Sequence, residues 1–190
     1  MGHAGSKEAL KQHDEKLFAL RHSAAHVMAQ AVKRLYPQVK LAIGPPIADG
    51  FYYDLDLPVK LTDEDLPKIE AEMQKIIREG HPFQQSFMKK SEAVTRFSEQ
   101  DERFKVELIE GLADDRVSLY TDGEFVDLCE GPHVASTGEV KAFTLLAVAG
   151  AYWRGNERNP QLQRIYGTAY FNAKDLEAHL HRLEEAKRRD

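Results

Sequence analysis

The chain has 190 residues, a formal net charge of −5 and 42% apolar side chains, enough to build a packed core without crosslinks. Its single cysteine, Cys129, excludes an internal disulfide, and no stretch approaches the roughly 20 apolar residues of a bilayer-spanning helix, so a cytoplasmic protein without a membrane partner is expected. The acidic balance gives no global attraction to nucleic acid, and a polyanion would need a local basic patch.

Met1 to Gln12 are small and polar without a steady period, and residues 1–16 read as an N-terminal extension, linker or frayed helix start. From about Asp14 to Tyr36 the residues Leu17, Leu20, Ala24, Val27, Met28, Ala31 and Leu35 recur at three- and four-residue steps, the stripe of an amphipathic helix that Pro37 ends. "VKLAIGPPIADGFYYDLDL" follows, rich in β-branched and aromatic residues, with Asp49-Gly50 read as a hairpin turn between two strands. Thr62 caps a second helix that buries Leu66, Ile69, Met73, Ile76 and Ile77, and Gly80 stands just past its end.

"FQQSFMKK" reads as a short strand, Ser91 as the cap of a short helix, and "DERFKVELIEG" as a helix with Phe104, Leu108 and Leu112 on one side. A second hairpin turns at Asp122-Gly123 between "VSLYT" and "EFVDLC", and the Gly-Pro step of "CEGPH" breaks the pairing. "FTLLAVAGAYWRG" and "LQRIYGTAYF" give two more strands around Asn156 to Pro160. Asn172 then caps a closing helix, 172–190, with Leu176, Leu180 and Leu183 inward and a basic tip at Lys187, Arg188 and Arg189. Helices and hairpins intermix without a βαβ rhythm, so the expected class is α+β, a mainly antiparallel sheet packed with helices.

Two pairs of chemically capable side chains stand out, "HSAAH" at 22–26 and "CEGPH" at 129–133. His22 and His26 lie within about 40° of each other on a helix, nearly opposite the main apolar stripe. Ala25 and Ala29 flank them, a smooth floor rather than the usual Lys and Glu fringe. Strand alternation sets Phe125, Asp127 and Cys129 on one face, and Gly131-Pro132 lets His133 curl back towards Cys129. Three readings follow. His22, His26, Cys129 and His133 match tetrahedral zinc ligation in type and number. Neutral imidazoles could instead hold and deprotonate a water while Asp127 fixes a tautomer or binds an ammonium. Cys129 as a covalent nucleophile is the weakest, because no separate orienting group is evident.

The words "HSAAHVMAQAV", "AIGPPIADGFYYDLDL", "FVDLCEGPHV", "AGAYWRG" and "QRIYGTAY" resemble, in order and separation, the editing domain of bacterial-type threonyl-tRNA synthetases. The resemblance covers about Leu17 to Asp190 and implies a threonyl/alanyl-tRNA synthetase editing-domain-like fold, with residues 17–190 as one domain. Alanyl-type editing domains share the HxxxH and CxxxH elements, but "QRIYGTAY" favours the threonyl branch. The resemblance implies hydrolysis of the ester that joins serine wrongly to tRNA(Thr). By motif matching, His22, His26, Cys129 and His133 line the pocket, Asp127 contacts the seryl amino group, and Tyr53 and Lys105 bind substrate or assist catalysis. Read alone, Lys105 is equally well a solvated helix lysine.

A second sieve has a physical origin, since one methyl group separates serine from threonine and gives only ~1 to 3 kcal/mol of discrimination in a synthetic pocket. No cofactor is expected to be required; the alanyl type ligates zinc with the comparable four residues, and this ligand set would accept it. Nothing resembles the aminoacylation core, so ATP is not expected to bind, and the stop at Asp190 favours a domain excised from a parent synthetase over a free-standing factor. Arg154, Arg158, Arg164 and Lys187 to Arg189 are the candidate patch for acceptor phosphates. The competing readings are a non-catalytic module binding the tRNA acceptor end and a structural zinc domain.

Overall fold

The computed structural model describes residues 3–189; Met1 and Gly2 of the expected extension, and Asp190 at the end of the expected closing helix, lie outside them. A long helix α1 (His3–Leu35) is followed by strands β1 (Lys40–Leu41), β2 (Pro46–Ile47) and β3 (Gly50–Asp56), then helix α2 (Leu66–Glu79) and strand β4 (Gln84–Lys89). Helices α3 (Lys90–Glu99) and α4 (Arg103–Glu110) lead to strands β5 (Arg116–Asp122), β6 (Phe125–Leu128), β7 (Ala142–Tyr152) and β8 (Gln161–Tyr170), and helix α5 (Ala173–Arg189) closes the order. Every strand pairing is antiparallel. One sheet runs β1-β3-β8-β7 with β2 also on β3, and a second runs β4-β5-β6. The α+β class is therefore as expected.

Helix α1 organises the core. Its apolar residues pack with those of α2, β3 and β8 in one continuous cluster that includes Leu20, Met28, Phe51, Leu55, Ile69, Met73 and Ile165. Helix α2 buries Leu66, Ile69, Met73 and Ile76, as its periodicity predicts, while Ile77, expected with them, is half-buried at the edge of the cluster. Thr62 and Asp65 form a reciprocal capping box before it, and Gly80 adopts the left-handed conformation (φ 63°) at its end.

Several details differ from the sequence reading. Helix α1 begins at His3, well before the apolar stripe, and its residues 5–16 are exposed. Both hairpin turns fall elsewhere than on the Asp-Gly pairs. In the first, Ile47 pairs with Gly50, so the turn is Ala48-Asp49, with Asp49 at φ 61°. Gly50 opens β3 because a Cβ there would collide with the Gly167 carbonyl of β8. In the second, Asp122 pairs with Phe125, so Gly123 (φ 54°) and Glu124 make the turn and Asp122 ends β5.

Ser91 lies inside α3, whose cap is Lys89. Leu112 is exposed past the end of α4, which buries Phe104, Lys105 and Ile109 instead. On α5, Asn172 does cap, accepting the Asp175 N–H at 2.8 Å. Leu183 is exposed, however, and the buried residue is His179, whose ring lies 5.4 Å from that of Tyr170 on β8.

Candidate active site

From Leu20 to Val32, α1 is buried on nearly its whole circumference, so the face carrying the histidines is not a polar side. The apolar stripe meets α2, β3 and β8. The second face meets Phe83, β6 and the segment after it: the His26 ring packs edge-on to Phe125 at 4.7 Å and to Phe83 at 5.6 Å. Ala25 and Ala29 are completely buried, which is why that face can approach so closely.

Helix α4 is pinned so that Lys105 faces the same region. Phe104 packs against Trp153 at 5.1 Å, and the Trp153 indole donates to Glu107 at 2.9 Å. At the start of α4, buried Glu102 accepts from Lys33 of α1 (3.1 Å) and from the Leu41 N–H of β1 (3.0 Å). Tyr53 arrives from β3, and Gly44 lies flat on its ring where any side chain would clash. Asp127 arrives from β6 and Cys129 from the position just past its end, and both line the same cavity, side by side as expected.

These elements enclose a cavity of about 330 Å³, lined by His22, His26, Tyr53, Lys105, Asp127 and Cys129 among others. At its floor, Lys105 Nζ lies 2.8 Å from Asp127 Oδ1 and donates to the Tyr53 hydroxyl at 2.9 Å, while that hydroxyl donates to Asp127 Oδ2 at 2.8 Å. Burial pushes the Asp127 carboxyl up, but Lys105, His26 and the two hydrogen bonds together hold it below its ordinary value. Burial, reinforced by the adjacent Asp127 carboxylate, raises Tyr53 well above the usual phenol range. An ammonium has three N–H donors and Lys105 commits two here, which leaves one for another acceptor.

At the other wall the imidazoles converge on the thiol. Cys129 Sγ lies 3.3 Å from His22 Nε2 and 3.2 Å from His133 Nε2, and it accepts the Gly131 N–H at 3.3 Å. His133 does curl back, after Gly131 at φ 80°, a position where a Cβ would collide with Tyr120. His133 stands behind the cavity wall, stacked on Phe83 at 4.7 Å and on His22 at 4.4 Å.

His22 Nδ1 donates to the Pro132 carbonyl at 3.1 Å, which leaves its Nε2 as a bare acceptor facing the thiol and the cavity. Burial lowers the pKa of His22, takes His26 to about 4 and takes His133 to about 2, so all three rings are neutral near pH 7. Burial pushes the Cys129 thiol up to about 12, so the sulfur keeps its proton and is a poor nucleophile.

The donor atoms of His22, Cys129 and His133 all lie within 4.8 Å of one another, the one such group among the described residues able to hold a metal ion. Two bare imidazole nitrogens and a thiol fit three-ligand zinc ligation, with the thiol proton as the group that must leave. His26 is not a member. Its Nδ1 faces Asp127 at 3.8 Å and its Nε2 faces Asp122 at 3.5 Å. The four-ligand set drawn from the two pairs thus becomes three.

Sequence reasoning missed Asp122, Ser23 and Phe83. Asp122 is fully buried with neither carboxyl oxygen hydrogen-bonded, and burial pushes it up to about 8. Its place in an Asp-Gly pair disguised it as a turn residue. Ser23 was visible as a polar residue between the histidines' own helical turn and the core stripe. The candidate patch for phosphates is altered too. Arg164 is held bidentately by Asp54 at 2.7 and 2.9 Å, and Arg154 lies 3.5 Å from Glu107, while Arg158 and Lys187 to Arg189 are exposed.

The α+β fold holds a pocket walled by an HxxxH helix and a CxxxH segment that follows β6, and comparison with known proteins finds its likeness among tRNA synthetases. Residues 117–166 match the family model described as the threonyl and alanyl tRNA synthetase second additional domain. Within that class the chain is similar to threonine–tRNA ligases. It is 56% identical over 93% of its length to that of Oleidesulfovibrio alaskensis, 57% over 90% to that of Symbiobacterium thermophilum, and 55% over 94% to that of Streptococcus agalactiae. It spans only 26 to 27% of those relatives. No helix among the described residues is long and apolar enough to cross a membrane.

Proposed function

We propose that this domain is a proofreading hydrolase that deacylates Ser-tRNA(Thr) by attack of water on the aminoacyl ester. The observation that carries this reading is a single cavity that exposes both a bare imidazole nitrogen, His22 Nε2, and an ionised, buried carboxylate, Asp127. The seryl ammonium pairs with the lone pairs of Asp127 that Lys105 and Tyr53 leave open. A water bound to His22 Nε2 attacks the ester carbon and passes its proton to that nitrogen. The remaining Lys105 N–H supports the oxyanion; as the bond from the ester carbon to the ribose oxygen breaks, that oxygen takes the proton from His22 and leaves as the tRNA's hydroxyl. His26 shapes the pocket wall, His133 backs it, and Cys129 acts as a hydrogen-bonding thiol.

The pathway needs no metal. His22, Cys129 and His133 would hold zinc, which when bound lowers the pKa of a coordinated water. The partner is tRNA(Thr) carrying serine, with Arg158 and Lys187 to Arg189 the exposed cations available for acceptor phosphates. The aminoacylation core of a parent synthetase is the expected neighbour, and ATP has no role at this site.

The test is deacylation of purified Ser-tRNA(Thr) by the chain and by His22→Ala and Cys129→Ala variants, with and without a chelator. Hydrolysis that survives chelation and is lost in His22→Ala supports the reading. Measurable tRNA binding with no serine-ester hydrolysis makes the domain a binding module instead.

A further inference from the structure

The Ser23 side chain is fully buried on α1, one residue from His22. Its hydroxyl proton goes to the Ala19 carbonyl at 2.7 Å, a partner that can only accept. The same oxygen accepts the Val134 N–H at 2.9 Å and faces His133 Nδ1 at 3.0 Å. With its proton committed to Ala19, Ser23 can only accept from that ring nitrogen. A neutral imidazole carries one N–H, so His133 is protonated on Nδ1 and bare on Nε2.

The consequence reaches the cavity through Cys129. The thiol has one proton and two bare imidazole nitrogens within reach, His22 Nε2 at 3.3 Å and His133 Nε2 at 3.2 Å. When the S–H donates to His133, His22 Nε2 keeps its lone pair for a water in the cavity. If His133 carried its proton on Nε2, that N–H would point at sulfur, and the S–H would be driven onto His22. The base would then be occupied.

The geometry points to Ser23 as a positioning residue: by holding His133 in the Nδ1–H form, it draws the Cys129 proton away from His22 and keeps His22 Nε2 free as the water-binding base. This rests on the hydrolase reading, and its first test does not need activity.

The ring-nitrogen NMR shifts of His133, recorded on the full chain near pH 7 with chelator and without tRNA, report the tautomer directly. The expected result is Nδ1–H in the parent chain and in Ser23→Thr, which keeps the hydroxyl, with a shift towards Nε2–H in Ser23→Ala. Deacylation of Ser-tRNA(Thr) should then show kcat lowered about tenfold or more in Ser23→Ala with KM little changed, and recovery in Ser23→Thr. An Nε2–H form in the parent chain overturns the proposal even if Ser23→Ala fails to fold, as does an unchanged tautomer in Ser23→Ala. The expected tautomers in a chain that hydrolyses no ester would leave the Ser23–His133 arrangement standing while the hydrolase reading fell.

Discussion

Lys105 and Asp127 form an ion pair of 2.8 Å in which neither side chain is more than 6% exposed. Burying two charges costs several kcal/mol each, and the pair persists because each also has the Tyr53 hydroxyl as a neighbour. Removing one partner strands the other. Lys105→Met is expected to destabilise the fold by about 3–5 kcal/mol in urea unfolding, and combining it with Asp127→Leu to recover much of that loss. A loss below about 1 kcal/mol for the single variant would mean that water reaches the pair.

Asp122 provides a pH signature. Its folded pKa of about 8 stands well above the unfolded value of about 3.9, so the folded chain holds a proton that the unfolded chain has released. Stability therefore falls as pH rises from about 4 to about 8, by up to roughly 1.4 kcal/mol per unit. His26 acts in the opposite sense: its folded value of about 4 lies below the unfolded ~6.5, so its contribution is present above pH 6.5 and lost as pH falls towards 4. Asp122→Asn lacks the first effect. Urea midpoints at pH 5 and pH 8 should show the variant gaining on the parent as pH rises; a constant difference would place the carboxyl's titration elsewhere.

The Cys129 thiol, pushed up to about 12, should alkylate slowly. At pH 8 the native chain is expected to react with iodoacetamide at least about a hundredfold more slowly than the urea-unfolded chain, whose thiol titrates near 8.5. Equal rates would point to a native thiolate and revive the nucleophile reading.

Zinc binding separates three ligands from four. Because His26 faces Asp122 and Asp127, His26→Ala should retain zinc affinity within a few-fold, whereas His22→Ala, Cys129→Ala and His133→Ala should each weaken it severely. Competition with a chromogenic chelator measures this, and a loss in His26→Ala equal to the others would restore the four-ligand set.

Much of this was legible in the sequence because it depends on local rules. Period fixed α2 and its buried face, alternation put Asp127 beside Cys129, and Gly131-Pro132 foretold the return of His133. What failed depended on distant neighbours. Asp-Gly pairs are good turn formers, but Gly50 is required against Gly167 and Asp122 stays in β5 paired with Phe125, so each turn moved by one residue. Read alone, Lys105 was equally well a solvated lysine, and the full burial of His26 was not legible, because one helix cannot reveal what covers its second face. Leu183 read as core because periodicity continues past the point where α5 leaves the sheet.

The central claim is serine-selective ester hydrolysis, and the most direct measurement compares first-order deacylation of Ser-tRNA(Thr) and Thr-tRNA(Thr) by the unmodified chain under identical conditions. The account predicts that the seryl ester is cleaved well above the spontaneous rate while the threonyl ester decays no faster than without protein. Equal cleavage of both esters, or of neither, would contradict it.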